Sequence, residues 1–256
     1  MQVVLLAGGL GSRIAEESSL RPKPMIEIGG RPILWHIMKI YSHYGFYDFI
    51  VCLGYKGYMI KEYFMNFFLH HSDVTIDTAA NKITYHQSAS EPWRVTLVDT
   101  GDETLTGGRL LRVRPFLTEQ TFGLTYGDGL TDLDVRASID FHHAHGKLAT
   151  LTAVIPPSRW GAVDLEGDRV RRFVEKPRGD QGYINGGFFV LNRAVLDRID
   201  GGETAWEAGP LQGLARDGEL RAYRHGGFWH AMDTLRDRNH LDELWRSGQA
   251  PWKVWK

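Results

Sequence analysis

A chain of 256 residues with 43% hydrophobic and 24% charged residues has the make-up of a globular body that buries roughly 70–75% of its unfolded surface. Its formal net charge of −1 excludes bulk electrostatic capture of nucleic acid, so an anionic ligand must be held by locally placed cations. A single cysteine, Cys52, excludes an intramolecular disulfide and suits a reducing cytoplasm. The opening "MQVVLLAGG" reads as neither a signal peptide nor a membrane span, and no later run reaches ~18 uninterrupted apolar residues.

The first predicted element is the apolar strand "VVLLA", which breaks into "GGLGSR". Gly8, Gly9 and Gly11 permit a tight strand-to-helix turn with amides open to a phosphate. Ile14 stands where a dinucleotide-binding G-x-G-x-x-G needs its third glycine, and no lysine follows in P-loop register, so neither template fits. What the stretch offers is Arg13, followed by "RPKPM", in which two prolines stiffen the backbone around Lys23. A guanidinium and an ammonium flanking one anion suit a polyphosphate; the bland alternative is a glycine turn with two solvated cations.

Further along, "PILWHIMKIYSHYG" predicts a helix from Pro32 to the stop at Gly45. "DFIVCLGY" predicts a buried strand, "KGYMIKEYFMNFFLHH" a second helix and "TFGLTYGD" a strand that delivers Asp128 at its carboxyl end. "ASIDFHHAHG" predicts a helix closing on glycine, and "LATLTAVI" and "GGFFVLN" two more strands. Between these last two, "WGAVDLEGDRVRRFVEKP" reads as a hairpin insertion, and "TLRDRNHLDELWRSG" as a surface helix. Continuous apolar strands alternating with helices indicate an α/β fold whose mainly parallel sheet is covered on both faces. No Pro/Ser-rich linker divides the chain. Residues 1–256 are therefore expected to form one domain in three parts: one to about residue 155, one over 156–233, and a C-terminal helix and tail over 234–256.

Ligands of open α/β sheets bind beyond the carboxyl ends of the strands, which puts Asp128 and the first loop in one crevice. Asp128 with a second aspartate would suffice for Mg²⁺, although an aspartate there also suits a turn or a cap. "DLD", Asp132–Asp134, mimics a glycosyltransferase D-x-D motif, but its position before "VRASIDFHH" suits a helix start. His142, His143 and His145 have no zinc-ligand spacing, and the tryptophans read as packing. Lys176, before Pro177 at a hairpin end, either reaches the crevice or pairs with Glu175.

"LAGGLGSR" followed by "RPKPM" resembles the signature of sugar-1-phosphate nucleotidylyltransferases. "EPWRVTLVDTG", "TGGRL", "YGDGLTDLD", "EKP", "INGGFFVLN" and "MDTLRD" are similar to the glucose-1-phosphate cytidylyltransferase branch, in order, over essentially the whole chain. The resemblance implies a Rossmann-like three-layer α/β/α fold of the nucleotide-diphospho-sugar transferase type. It implies transfer of a cytidylyl group from CTP to α-D-glucose 1-phosphate, giving CDP-glucose and pyrophosphate, with Mg²⁺ on Asp128 and Asp233. By the same resemblance, Leu6, Ala7, Gly8, Gly9, Gly11, Ser12, Arg13, Lys23, Thr104, Thr106, Gly108 and Arg109 face the nucleotide. Gly161, Glu175, Lys176 and Asn185 face the sugar phosphate. Without the family, Asp233 reads equally as the cap of the last helix and Arg109 as an exposed helix-start arginine. The branch typically has a glutamine and a proline where this chain has His230 and Ala231. A homo-oligomer, often a hexamer, in the cytoplasm and serving deoxysugar or lipopolysaccharide synthesis, is also implied, with no nucleic acid or membrane partner.

No catalytic base is needed for such a transfer. A phosphate monoester with a second pKa near 6 is already largely dianionic at pH 7, and positioning and charge stabilisation supply most of the acceleration. Alternative readings are a nucleotidylyltransferase for another sugar phosphate or nucleotide, a D-x-D glycosyltransferase, and a non-catalytic nucleotide-sugar sensor.

Overall fold

A computed structural model describes residues 1–11, 14–88, 91–156, 162–166, 169–174 and 182–256. Seven strands form its main sheet: β1 (Val3–Leu6), β2 (Asp48–Leu53), β3 (Arg94–Asp99), β4 (Thr121–Tyr126), β5 (Ala149–Val154), β6 (Ile184–Asn192) and β7 (Leu220–His225). Their spatial order is β7-β5-β6-β4-β1-β2-β3. β6 runs antiparallel to both neighbours and every other pairing is parallel. The expected mainly parallel, mixed sheet is what the chain builds.

Side chains of β1 divide by the period of two that a pleated strand imposes. Val3 and Leu5 enter one apolar cluster, Val4 and Leu6 the other. The first cluster takes in α1 (Ile33–His43), α2 (Gly57–Met65), α4 (Val135–His145) and α6 (Leu235–Arg246); the second takes in α3 (Thr106–Val113) and α5 (Gly209–Arg216). Both faces are thus buried, as the continuous apolar strands require. Cys52 lies in the second cluster, and burial pushes its thiol up to about 12.

Several local expectations hold. α1 begins after Pro32, α4 closes on the left-handed Gly146, and Ala162–Glu166 pairs antiparallel with Arg169–Val174. Asp134 caps α4 by accepting from the Ala137 amide. α6 is capped by Thr234, whose hydroxyl exchanges bonds with Asp237, so Asp233 is not the cap. His142 and His145 both turn to the Thr150 hydroxyl.

The expected single helix over residues 56–71 differs. Asn66 donates its side-chain amide to the Glu62 carbonyl at 2.9 Å, an alternative to the helical ladder, and α2 stops there. After a further one-turn helix (Phe67–His70), Ser72–Asp77 and Lys82–Ser88 form an antiparallel ribbon outside the main sheet. The amphipathic strands β3 and β7 and this ribbon carry no continuous apolar run, and the apolar-run criterion passes over them.

Candidate active site

The site begins where β1 and β4 end side by side. The Gly127 amide donates to the Leu6 carbonyl at 3.0 Å, which turns the chain and leaves Asp128 at the rim of the sheet. Gly129–Thr131 then pairs antiparallel with Trp229–Ala231, and the Met232 amide donates to the Asp128 carbonyl at 2.8 Å. That short pairing brings Asp233 beside Asp128 across 105 residues of sequence. Asp233 is further fixed through its amide, which donates to Asp237 at 3.2 Å. Burial alone would raise the Asp237 carboxyl, but hydrogen bonds from Thr234 and His230 hold it below its ordinary value. His230, where the resemblance leads to the expectation of a glutamine, thus supports the segment carrying Asp233.

Lys23 opens a one-turn 3₁₀ segment, Lys23–Met25, bounded by Pro22 and containing Pro24. The stem is nearly buried, and its ammonium donates to Asp128 Oδ2 at 2.6 Å and to Asp233 Oδ1 at 2.9 Å. The two carboxylates therefore converge on one cationic point. Hard oxygen donors around such a point are the set that Mg²⁺ takes, with phosphate oxygens and water completing its shell.

Two cavities meet at this junction. The larger, about 480 Å³, lies between the first loop and the segment Asp102–Thr106; its size suits a nucleotide-scale ligand. The smaller, about 190 Å³, is walled by Asn185–Phe188, Trp229 and Ala231. Tyr126 and Asp128 line both. Among the residues expected at a nucleotide, Leu6, Ala7, Gly8, Gly9, Gly11, Lys23, Thr104, Thr106 and Arg109 line the larger cavity. Asn185 and Asp233 line the smaller. Ser12, Arg13, Gly161, Glu175 and Lys176 lie outside the described residues.

Arg109 is buried, contrary to the exposed alternative. Its guanidinium donates to the carbonyls of Leu53, Gly101, Gly8 and Asp102 and to the Thr100 hydroxyl, all between 2.7 and 3.1 Å. One side chain thereby ties the first loop to the opposite wall of the cleft. A Cβ on Gly8 would stand 2.1 Å from Arg109 Nη1, so the close approach of the guanidinium itself requires glycine there. Gly108 does not line the cavity. A Cβ there would stand 2.3 Å from the Gly202 carbonyl oxygen, and the segment 202–204 caps the start of α3, taking bonds from the Leu105, Gly107 and Gly108 amides. The glycine pair of "TGGRL" accordingly serves packing against that segment.

"DLD" is also accounted for locally. Asp132 Oδ1 accepts from the Phe228 amide at 2.7 Å and lies 2.9 Å from His225 Nε2, while Asp134 caps α4. Sequence reasoning passed over Tyr126, which lines both cavities, and Glu207, which accepts its hydrogen bond at 2.5 Å. Tyr126 precedes "GDG" at a strand end, a position that could have flagged it; nothing in "ETAWEAG" marks Glu207.

The model of the nucleotidyl transferase family matches residues 2–209. Glucose-1-phosphate cytidylyltransferase of Salmonella typhi is 60% identical over 257 residues, covering 100% of each chain. The probable glucose-1-phosphate cytidylyltransferase of Bacillus subtilis (strain 168) is 44% identical over 256 residues, again covering 100% of each. Among solved structures, HddC from Yersinia pseudotuberculosis matches with a TM-score of 0.67 at 22% identity, covering 95% of this chain and 99% of that one. That last likeness concerns the fold.

Proposed function

This chain belongs to the nucleotidyl transferase family, and we infer that it transfers a cytidylyl group from CTP to α-D-glucose 1-phosphate, giving CDP-glucose and pyrophosphate. The observation that carries this reading is the junction itself. Two carboxylates and a lysine stand where a nucleotide-sized cavity adjoins a smaller one, in a chain 60% identical end to end to a glucose-1-phosphate cytidylyltransferase. The larger cavity is read as the CTP site and the smaller as the sugar-phosphate site. A sugar phosphate in the smaller one meets the α-phosphate of CTP at Asp128.

Asp128 and Asp233 would hold Mg²⁺. When bound there, the ion lowers the charge that opposes the approach of one phosphate to another. Lys23 is the exchangeable partner: its ammonium holds the carboxylates here, and phosphate oxygens offer it bonds of the same charge-assisted kind. With Arg13, it is read as holding the β- and γ-phosphates that depart as pyrophosphate. Lys176 is read as the cation on the attacking phosphate, with Asn185, Glu175 and Gly161 on the sugar. Thr104, Thr106 and the Gly8–Gly11 loop face the nucleotide, Arg109 fixes that loop, and Gly108 packs the start of α3 against the segment 202–204.

The chain is further read as cytoplasmic, as one domain, and as a homo-oligomer such as a hexamer that feeds deoxysugar or lipopolysaccharide synthesis. No helix among the described residues is long and apolar enough to cross a membrane. For the oligomer, the supporting feature is the ribbon Ser72–Asp77/Lys82–Ser88, which exposes Ile76, Ile83 and Tyr85 beside the exposed Phe68.

Incubation with CTP, glucose 1-phosphate and Mg²⁺ tests the reaction. Stoichiometric pyrophosphate and CDP-glucose are expected, with weaker product formation from other nucleotides and sugar 1-phosphates. A glycosyltransferase releases no pyrophosphate from these substrates, and a sensor releases nothing.

A further inference from the structure

A chain of hydrogen bonds runs behind both cavities. Thr106 Oγ1 donates to Glu207 Oε2 at 2.7 Å, Tyr126 Oη donates to Glu207 Oε1 at 2.5 Å, and Asn185 Nδ2 donates to Tyr126 Oη at 3.2 Å. At its ends, the Trp206 amide donates to Thr106 Oγ1 at 2.9 Å and the Gly187 amide to Asn185 Oδ1 at 2.8 Å. Thr106 lines the larger cavity, Asn185 the smaller and Tyr126 both, whereas Glu207 lines neither.

An ionised carboxylate only accepts, and each hydroxyl has one proton to give. Glu207 therefore accepts the hydrogen bond of Thr106 on one oxygen and that of Tyr126 on the other. Tyr126, its one O–H committed to Glu207, can only accept from its remaining neighbour, so the Asn185 amide must present nitrogen to it and oxygen to Gly187. That leaves one N–H and one oxygen lone pair of Asn185, a residue that lines the smaller cavity, in a fixed orientation. Burial, and next the adjoining Glu207 charge, hold the Tyr126 phenol well above its ordinary value, so the phenol keeps its proton throughout the physiological range.

We propose that Glu207 is a positioning residue of the transfer reaction, orienting Asn185 for the sugar phosphate through Tyr126 while anchoring Thr106 on the nucleotide side. This rests on the assignment of the smaller cavity to the sugar phosphate. Removal of the carboxylate frees the Tyr126 proton to point elsewhere and lets the Asn185 amide turn, so sugar-phosphate binding weakens while the reacting groups stay intact.

The test measures KM for glucose 1-phosphate and kcat, at saturating CTP and Mg²⁺, for Glu207→Ala, Tyr126→Phe and the double variant, with the dissociation constant of glucose 1-phosphate taken by calorimetry. For Glu207→Ala, KM and the dissociation constant should rise about tenfold, the size of one hydrogen bond, with kcat changed less than about threefold. In the Tyr126→Phe background the same change should add less than about twofold, because the two residues act in series. An unchanged KM, effects that multiply, or a loss of kcat with KM intact would each overturn the proposal. Glu207→Gln keeps the size and one acceptor for Tyr126, and carries the test if the alanine variant does not fold. A rise of about threefold that vanishes with Tyr126→Phe supports the proposal, and one that persists overturns it. Wild-type protein that binds glucose 1-phosphate without making CDP-glucose would refute the reaction assigned above and leave the calorimetric arm to decide on Glu207.

Discussion

Lys23 and Arg109 are two buried cations on opposite walls of one cleft, and they differ in what satisfies them. Lys23 is held by two carboxylates, Asp128 and Asp233, that reach it from other elements. Arg109 is held by four main-chain carbonyls and a hydroxyl, all neutral and all fixed by the backbone around them. A ligand phosphate competes for the ammonium of Lys23 on equal terms with a carboxylate. No such exchange suits Arg109, whose withdrawal would leave several carbonyls without donors in a desolvated place. The contrast separates machinery from frame: charged partners mark the part that can change hands during a reaction, and main-chain partners mark the part that must hold still.

Asp128→Asn tests the machinery side and should have the largest effect. It removes one charge of the converging pair with little change in shape, so kcat should fall by ~10²–10³, the usual consequence of losing one preorganised electrostatic group. The melting temperature should stay close to that of the wild type, because Asp233 still holds Lys23. Steady-state kinetics alongside thermal melts read both quantities, and a large fall in melting temperature would place Asp128 in the frame instead.

Arg109→Met tests the other side. The variant keeps bulk but strands the acceptors of Gly8, Leu53, Gly101 and Asp102, and should cost about 3 kcal/mol in urea unfolding. Gly108→Ala should cost less, about 1–3 kcal/mol, the range for a methyl forced into packed backbone, because its Cβ meets the Gly202 carbonyl. In both, the surviving folded fraction should keep the carboxylate junction and hence its Mg²⁺ dependence. If Gly108→Ala melts like the wild type but loses its affinity for CTP, the glycine contacts nucleotide and the contrast is drawn in the wrong place.

The machinery was more legible in the sequence than the frame. Lys23 between two prolines and Asp128 at a strand end announce themselves by local chemistry, and both come to the junction. Asp233 is not readable from its own neighbours, since "MDTL" suits a helix cap equally well. It reaches Asp128 only through the pairing of Gly129–Thr131 with Trp229–Ala231, two three-residue strands about a hundred residues apart. Arg109 and Glu207 were obscure for a related reason. Their partners are loop carbonyls and hydroxyls drawn from scattered segments, and such contacts leave no spacing in a sequence. The strands with continuous apolar runs were plain because both faces are buried, whereas β3, β7 and the 72–88 ribbon present polar faces to solvent and look like loops.

His36 allows the smallest of these tests, and it probes the frame beneath Lys23. The buried ring lies against the Ile28 carbonyl at 2.8 Å, on the segment that follows the Lys23 turn, and receives the Trp252 indole N–H on Nδ1 at 3.4 Å. With Nδ1 accepting, the proton belongs on Nε2, directed at Ile28, and a second proton on Nδ1 would confront the indole donor. Burial accordingly pushes the imidazole down to about 4, with the Arg31 charge acting in the same sense and the Ile28 carbonyl against it. Above pH 6.5 the ring is neutral in both folded and unfolded chains and pH has no hold on stability through it. Below 6.5 the unfolded chain takes up a proton that the folded one refuses until about pH 4, so stability falls with pH by about 1.4 kcal/mol per unit across that window. Urea unfolding at pH 7.5 and 5.5 should therefore differ by roughly 1.4 kcal/mol from this residue, with His142, also pushed down to about 4 by burial, acting in the same direction. His36→Gln keeps a donor for Ile28 but does not titrate, and should shrink the acid-induced loss by that amount. A loss of the same size in His36→Gln would mean that the acid sensitivity resides in groups other than this buried ring.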